Sequence, residues 1–206
     1  MCCLNQKESQ KISISFSETE RASQTAMLTM LSARDKESEQ HCLRVGVLAY
    51  RFCKKLEMDD ETVRHITNAA LLHDVGKVVV PDALLFSTEI LSRERRSGFH
   101  IHSVAGENIL RRCGCSARDC HAVRAHHEKW DGSGYPDGIS GDGIPLAARI
   151  IAICDSVDAM LHDRRYRPAP GAEICRRELE CYRGKLYDPD LTEAFLQHFE
   201  ELTARM

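Results

Sequence analysis

Residues 145–161 read PLAARIIAICDSVDAML. Pro145 suits the first turn of a helix, where its missing N–H costs no hydrogen bond. The run after it predicts a long helix ending near Leu161. Asp155 stands in its middle, among Ile150, Ile151, Ile153 and Val157. A carboxylate in so apolar a helix is costly to bury unless it is paired or bound to metal.

Just before this run, residues 129–143 hold Gly132, Gly134, Gly138, Gly141, Gly143 and Pro136. So many glycines oppose both helix and strand, so a long ordered loop is expected. Loops of this length inside compact domains are usually functional or mobile. Before the loop, Ser116 can cap a helix running to about His127, and another covers about Ser103 to Cys113. Ser92 also reads as a helix cap. Gly76, the short apolar run Val78-Val79-Val80 and Pro81 interrupt the pattern. Three earlier helices are expected: from about Glu18, from Lys36 to Leu56 with Val45, Leu48, Ala49 and Phe52 inward, and from Asp59 or Asp60 to about His73. Two more, near 171–183 and 190–204, finish the chain. Few segments alternate with period two, so the fold class is all-α, a single helical domain over residues 20–206 behind a polar tail at 1–19.

The chain has 206 residues, enough for one domain that buries roughly 70% of its unfolded surface without disulfides. Its net charge of −3 gives no basic excess for long nucleic acid. No apolar run approaches the ~18–20 residues of a membrane helix, and the first ten residues lack a secretory core, so a cytoplasmic location is expected. The ten cysteines read as reduced thiols. Cys113, Cys115 and Cys120 lack a clear fourth ligand for zinc.

Histidines and carboxylates cluster at informative spacings. Glu37 and His41 are one helical turn apart and share a face. His73 and Asp74 are adjacent at a helix end. His102 opens a helix, and His126, His127 and Glu128 close another. Such a mixed set suits first-row divalent metals, and paired ions of that kind activate water for attack on phosphorus. His65, His100, His121, His162 and His198 are assigned to surface or packing roles. Each pair alone is ordinary surface chemistry; the ordered combination with the glycine loop is what points to a metal site.

Two strings carry a family resemblance: His73-Asp74-Val75-Gly76-Lys77, and His126-His127-Glu128-Lys129-Trp130-Asp131-Gly132-Ser133-Gly134-Tyr135-Pro136. The second resembles in full the HHE-x-x-DGxGYP signature of HD-GYP domains, a subgroup of the HD metal-dependent phosphohydrolases. Gly141-Asp142-Gly143-Ile144-Pro145, Arg149-Ile150, Asp158-Ala159, Arg164 with Tyr166, and Asp188-Pro189 extend the match over about residues 20–200.

The resemblance implies an HD-type helical bundle that hydrolyses cyclic di-GMP to linear pGpG or GMP with two or three divalent ions, Fe or Mn. It implies His73, Asp74, His102, His126, His127 and Asp155 as metal ligands, with Glu37 and His41 as the additional ligands of a trinuclear site. Asp74 and Lys77 would be catalytic. Asp35, Lys77, Tyr135, Arg164 and Arg167 would touch substrate. A diguanylate cyclase or other signalling protein as partner, and a homodimer, are compatible with it. Arg165 replaces a frequent Pro, and Ser87 a frequent Lys; neither is an expected ligand. About 20 residues precede the match, too few for a second fold. The competing readings are a non-catalytic module that binds the dinucleotide or a protein, and an HD hydrolase of another cyclic dinucleotide such as a GMP-AMP hybrid.

Overall fold

A computed structural model describes residues 16–87, 98–163 and 168–204. Ten α-helices are found among them: α1 Glu18–Arg34, α2 Lys36–Lys55, α3 Asp60–Leu72, α4 Asp82–Leu85, α5 Ile101–Arg112, α6 Ala117–Ala125, α7 Leu146–Leu161, α8 Ala172–Tyr182, α9 Pro189–Gln197 and α10 Phe199–Thr203. Short 3₁₀ turns cover Val75–Val79 and Gly141–Gly143. No strand occurs among the described residues, so the all-α expectation holds.

Local signals fix the helix starts. Ser17 and Glu20 form a reciprocal capping box that opens α1 at Glu18, slightly ahead of the domain start expected at residue 20. Phe16 is already part of the core. Asp35, Asp59 and Ser116 cap α2, α3 and α6 through their side-chain oxygens. The expected helix over 190–204 is two helices, interrupted at His198. The Val78–Val80 region is a 3₁₀ turn leading into the four-residue α4, which periodicity could not foresee. The cap expected at Ser92 lies outside the described residues.

Helix α7 is the central element and packs against α2, α3, α6, α8 and α9. Its Ile150, Ile151, Ile153 and Val157 are fully buried beside Leu48, Phe52 and Ile66. Burial of each such side chain contributes about 1.5–3 kcal/mol. Phe52 meets Phe195 edge to face at 4.9 Å, which ties α9 to α2. No helix of the described residues is long and apolar enough to cross a membrane. Cys42, Cys53, Cys113, Cys115, Cys120, Cys154, Cys175 and Cys181 are free thiols, and Cys113, Cys115 and Cys120 form no metal-capable group.

Candidate metal centre

The ends of α3 and α6, the first turn of α5, the second turn of α2 and the middle of α7 converge on one buried point. His73 and His126 are the C-cap residues of α3 and α6. The last turn of a helix has spare carbonyls. His73 Nδ1 donates to the Ala70 carbonyl at 2.8 Å, and His126 Nδ1 to that of Val123 at 2.6 Å. In the same register, three residues back, His102 Nδ1 donates to the Phe99 carbonyl at 2.7 Å. All three rings are thereby held in one tautomer, with the Nε2 lone pair turned inward. Orientation of a ligand histidine by its other nitrogen is the usual arrangement at metal sites.

Close approach of backbones makes this convergence possible. A Cβ on Gly76 would lie 1.9 Å from the His102 carbonyl oxygen, so only glycine lets the 3₁₀ turn pack on α5.

Two groups of mutually close ligand atoms result: Asp74, His102, His126 and His127; and His41, His73 and Asp155. Asp74 sits between them. Its Oδ1 is 3.5 Å from His102 Nε2 and 4.0 Å from His126 Nε2. Its Oδ2 is 3.5 Å from His73 Nε2 and 3.8 Å from His41 Nε2. His41 Nε2 also faces Asp155 Oδ1 at 3.0 Å.

These residues fit divalent cations. His73 Nε2 is buried and has no hydrogen-bond partner. His102 Nε2 faces His127 Nε2 at 3.1 Å and His126 Nε2 at 3.4 Å, although the tautomers leave lone pairs on the first and last of these atoms. Facing lone pairs repel unless a positive charge lies between them. Three histidines and a carboxylate on one side, and two histidines and a carboxylate with Asp74 shared, form a donor set for first-row divalent ions.

Electrostatics agree. Burial, then the neighbouring His73 and His102, push His126 down to about 3. Burial likewise lowers His73 and His102, and holds His127 well below its ordinary value. These rings are thus neutral at pH 7, as ligands must be. Burial opposes the charge on Asp74, but Lys77 and the surrounding histidines hold its carboxyl well below the usual range. Burial also opposes charge on His41; hydrogen bonds to Asp155 and Asp158 outweigh it and raise the ring to about 9.

Lys77 Nζ donates to Asp74 Oδ2 at 2.5 Å and lies 5.7 Å from the Phe99 ring centroid. Tyr135 stands over the cluster. Its ring stacks on His100 at 3.6 Å and 6°, and it also meets His127 at 4.8 Å and His102 edge-on at 6.5 Å. The loop that carries it is folded back on the ligand segment: Glu128 Oε1 accepts the N–H groups of Asp137 and Gly138 at 2.7 and 3.1 Å. Gly134 passes so near the Glu128 and Lys129 backbone that a Cβ would lie 2.4 Å away.

Other expected residues fall elsewhere. Glu37 lies on α2 one turn before His41 and belongs to neither group of ligand atoms. Asp35 is buried at the start of α2, where Oδ1 accepts the Glu37 N–H at 3.3 Å and Oδ2 the Ser38 hydroxyl at 2.7 Å. Arg164 and Arg167 lie outside the described residues.

Several participants escaped the sequence reading. Asp158, 1% exposed, accepts Arg44 Nε at 2.6 Å and Nη2 at 2.9 Å, His41 Nδ1 at 2.6 Å and His162 Nδ1 at 3.0 Å. His162 therefore supports the site, where a packing role was expected. The spacing offered a signal: Asp155 and Asp158 share a face of α7, as do His41 and Arg44 on α2. His100 joins the Tyr135 stack, and His65 donates from Nδ1 to buried Asp119 at 2.6 Å. Cys42 forms a further close group with His73 and Asp74; burial pushes its thiol well up.

A family model described as HD domain matches residues 22–191. A cyclic di-GMP phosphodiesterase of Thermotoga maritima is 41% identical over 180 residues, covering 86% of this chain and 49% of the relative. A 3′3′-cGAMP-specific phosphodiesterase 2 of Vibrio cholerae is 34% identical over 201 residues, covering 96% of this chain and 38% of the relative. The chain thus spans half or less of the length of these curated relatives. The solved structure of an HDG"Y"P protein from Bdellovibrio bacteriovorus superposes with a TM-score of 0.67 at 17% identity, covering 88% of this chain and 62% of that one. At that identity the likeness concerns the fold.

Proposed function

The chain belongs to the HD domain family, within its HD-GYP group, and on that premise we propose that it hydrolyses a cyclic dinucleotide, cyclic di-GMP, to linear pGpG or GMP. The observation that carries the reading is Asp74, one oxygen turned to each of two groups of histidines. Divalent ions bound at such a pair polarise a phosphoryl oxygen and lower the pKa of water for attack on phosphorus. Asp74, His102, His126 and His127 would hold one ion, and His41, His73 and Asp155 with Asp74 the other, with Fe or Mn as the metal. A third ion would take Glu37 with His41, and anomalous scattering from metal-saturated crystals counts the ions.

The chain's own residues supply the rest. Lys77 exchanges its contact with Asp74 for a non-bridging phosphate oxygen and offsets the charge that grows there. The neutral imidazoles of His73, His102, His126 and His127 add no charge repulsion against the ions, while His41 would have to release a proton on binding one. The loop at 129–143 walls the site and keeps Tyr135 beside His127. Arg164 and Arg167, and Asp35 at the start of α2, are proposed to contact the guanine bases and the second phosphate on the resemblance alone. Residues 20–206 form the catalytic domain, working in the cytoplasm where such messengers are found.

A second substrate has specific support: the Vibrio cholerae relative is named for 3′3′-cGAMP. Protein purified without oxygen, analysed for metal and assayed by product chromatography on both dinucleotides, tests the proposal. Asp74→Ala is expected to lose metal and turnover together. Retention of both in that variant overturns the metal-centre reading, and absence of turnover by the metal-loaded wild type overturns the enzymatic one.

A further inference from the structure

The loop tyrosine is packed among histidine rings. His100 covers one side of Tyr135 at 3.6 Å and 6°, and His127 lies against it at 4.8 Å and 33°. A nucleobase could take the face of Tyr135 under His100 only by displacing His100, and displacing His127 would remove a residue of the metal-ligand group. His102 continues the series, meeting His127 at 5.0 Å between ring centroids. The rings run outward from the buried centre as His102, His127, Tyr135 and His100. His100 is the outermost plate and is half-buried. Among the described residues its ring neighbour is Tyr135.

We infer that His100 is a substrate-binding residue of the site mouth, and that a purine base of the substrate stacks on the face of its ring turned away from Tyr135. The inference rests on the proposed hydrolysis of a cyclic dinucleotide. Three features support it. The plate is rigid, because parallel stacking on Tyr135 fixes its plane. Tyr135 is itself fixed by the loop, through Gly134 against the ligand segment and Glu128 on the loop amides. The plate is also close to the chemistry, since His100 precedes the ligand His102 by two residues and stands at the entrance to α5. Every base offers a π-face, so one plate serves guanine and adenine alike, and base–aromatic stacking changes binding by about 5–150-fold per base. Tyr135 then positions His100 and shields His127, and it does not carry the base.

The experiment uses the metal-loaded full chain with His100→Leu, which keeps bulk without a π-face, and His100→Phe, which restores one. Four quantities are measured: KM and kcat on cyclic di-GMP, the rate on methyl p-nitrophenyl phosphate, bound metal, and calorimetric affinity for GMP. His100→Leu should raise KM and weaken GMP binding about tenfold, with kcat, the small-diester rate and metal content held. His100→Phe should recover most of the loss. Unchanged KM and GMP affinity in His100→Leu overturns the inference. So does a parallel fall of metal content and small-diester rate, which would make His100 a prop for the loop. If the wild type hydrolyses no cyclic dinucleotide, the proposed function fails on its own, and GMP affinity still decides the role of His100; a wild type that binds no GMP overturns that role too.

Discussion

Replacing Asp158 by Ala should damage stability and metal binding by separable amounts. The carboxylate is 1% exposed and collects a bidentate contact from Arg44, which is 16% exposed, together with the Nδ1–H groups of His41 and His162. Removal of one partner from a buried ion pair leaves the other charge uncompensated and costs about 3–5 kcal/mol. For a domain of this size each kcal/mol shifts the melting temperature by about 2–4 °C, so a fall of roughly 6–20 °C is expected. The second effect acts through His41. Its Nδ1–H loses the acceptor that aims Nε2 at Asp155 and Asp74. Loss of such an orienting partner typically weakens metal binding about 10–100-fold.

The assay measures both on the same samples. Calorimetric unfolding of chelator-stripped protein gives the stability term without metal, and titration of the folded protein with Mn²⁺ gives the affinity. Asp158→Asn separates shape from charge, since its amide oxygen can still accept from His41 while its NH₂ opposes Arg44. It should recover part of the metal affinity and little of the stability. A melting temperature within about 2 °C of wild type would refute the buried-pair argument, which requires several times that. A full stability loss with unchanged metal affinity would refute the positioning of His41.

Lys77→Ala should lower turnover about 10²–10³-fold, the usual effect of losing one donor to developing charge, while metal analysis finds the content unchanged. Gly76→Ala should release metal and lower the melting temperature, because its Cβ would lie 1.9 Å from the His102 carbonyl and must push α5 away. The last concerns acid. Burial opposes charge on Asp119, but hydrogen bonds from His65, Ser116 and Asn68 hold its carboxyl below the ordinary value. Its stabilisation is therefore complete above about pH 4 and is lost as pH falls toward the lowered folded value. Calorimetry of metal-free protein below about pH 4 should show Asp119→Asn losing less stability per pH unit than wild type.

What was legible in the sequence was local. The helix at 146–161 followed from Pro145 and its unbroken apolar run, and the caps at Asp59 and Ser116 from residue type ahead of a periodic segment. His73, Asp74, His126 and His127 could be singled out because each pair is adjacent in the chain at a helix end. Helix ends are where a side chain can both lean on spare carbonyls and face a cavity. The 3₁₀ turn at Val75–Val79 was not legible, since its cause is the close packing of Gly76 on His102 and Gly106, a contact between distant segments.

The same distinction explains the residues that were missed. Asp158 reaches His41 across 117 positions of sequence and Arg44 across 114, so neither pairing leaves a periodic trace. Each residue looked like an ordinary charged position on its own helix. The information was nonetheless present as a coincidence of two spacings. His41 with Arg44 and Asp155 with Asp158 are both three apart, so once α2 packs on α7 two partners on one helix meet two on the other. One member of each pair turns inward to the centre, and the other closes the network behind it. An apolar helix with one carboxylate calls for a metal or a partner; with two carboxylates a turn apart, here, it has a place for both. His100 illustrates the opposite case, because its stack on Tyr135 depends on how a 15-residue glycine-rich loop folds back over the site, and backbone freedom of that kind carries no pattern that spacing could reveal.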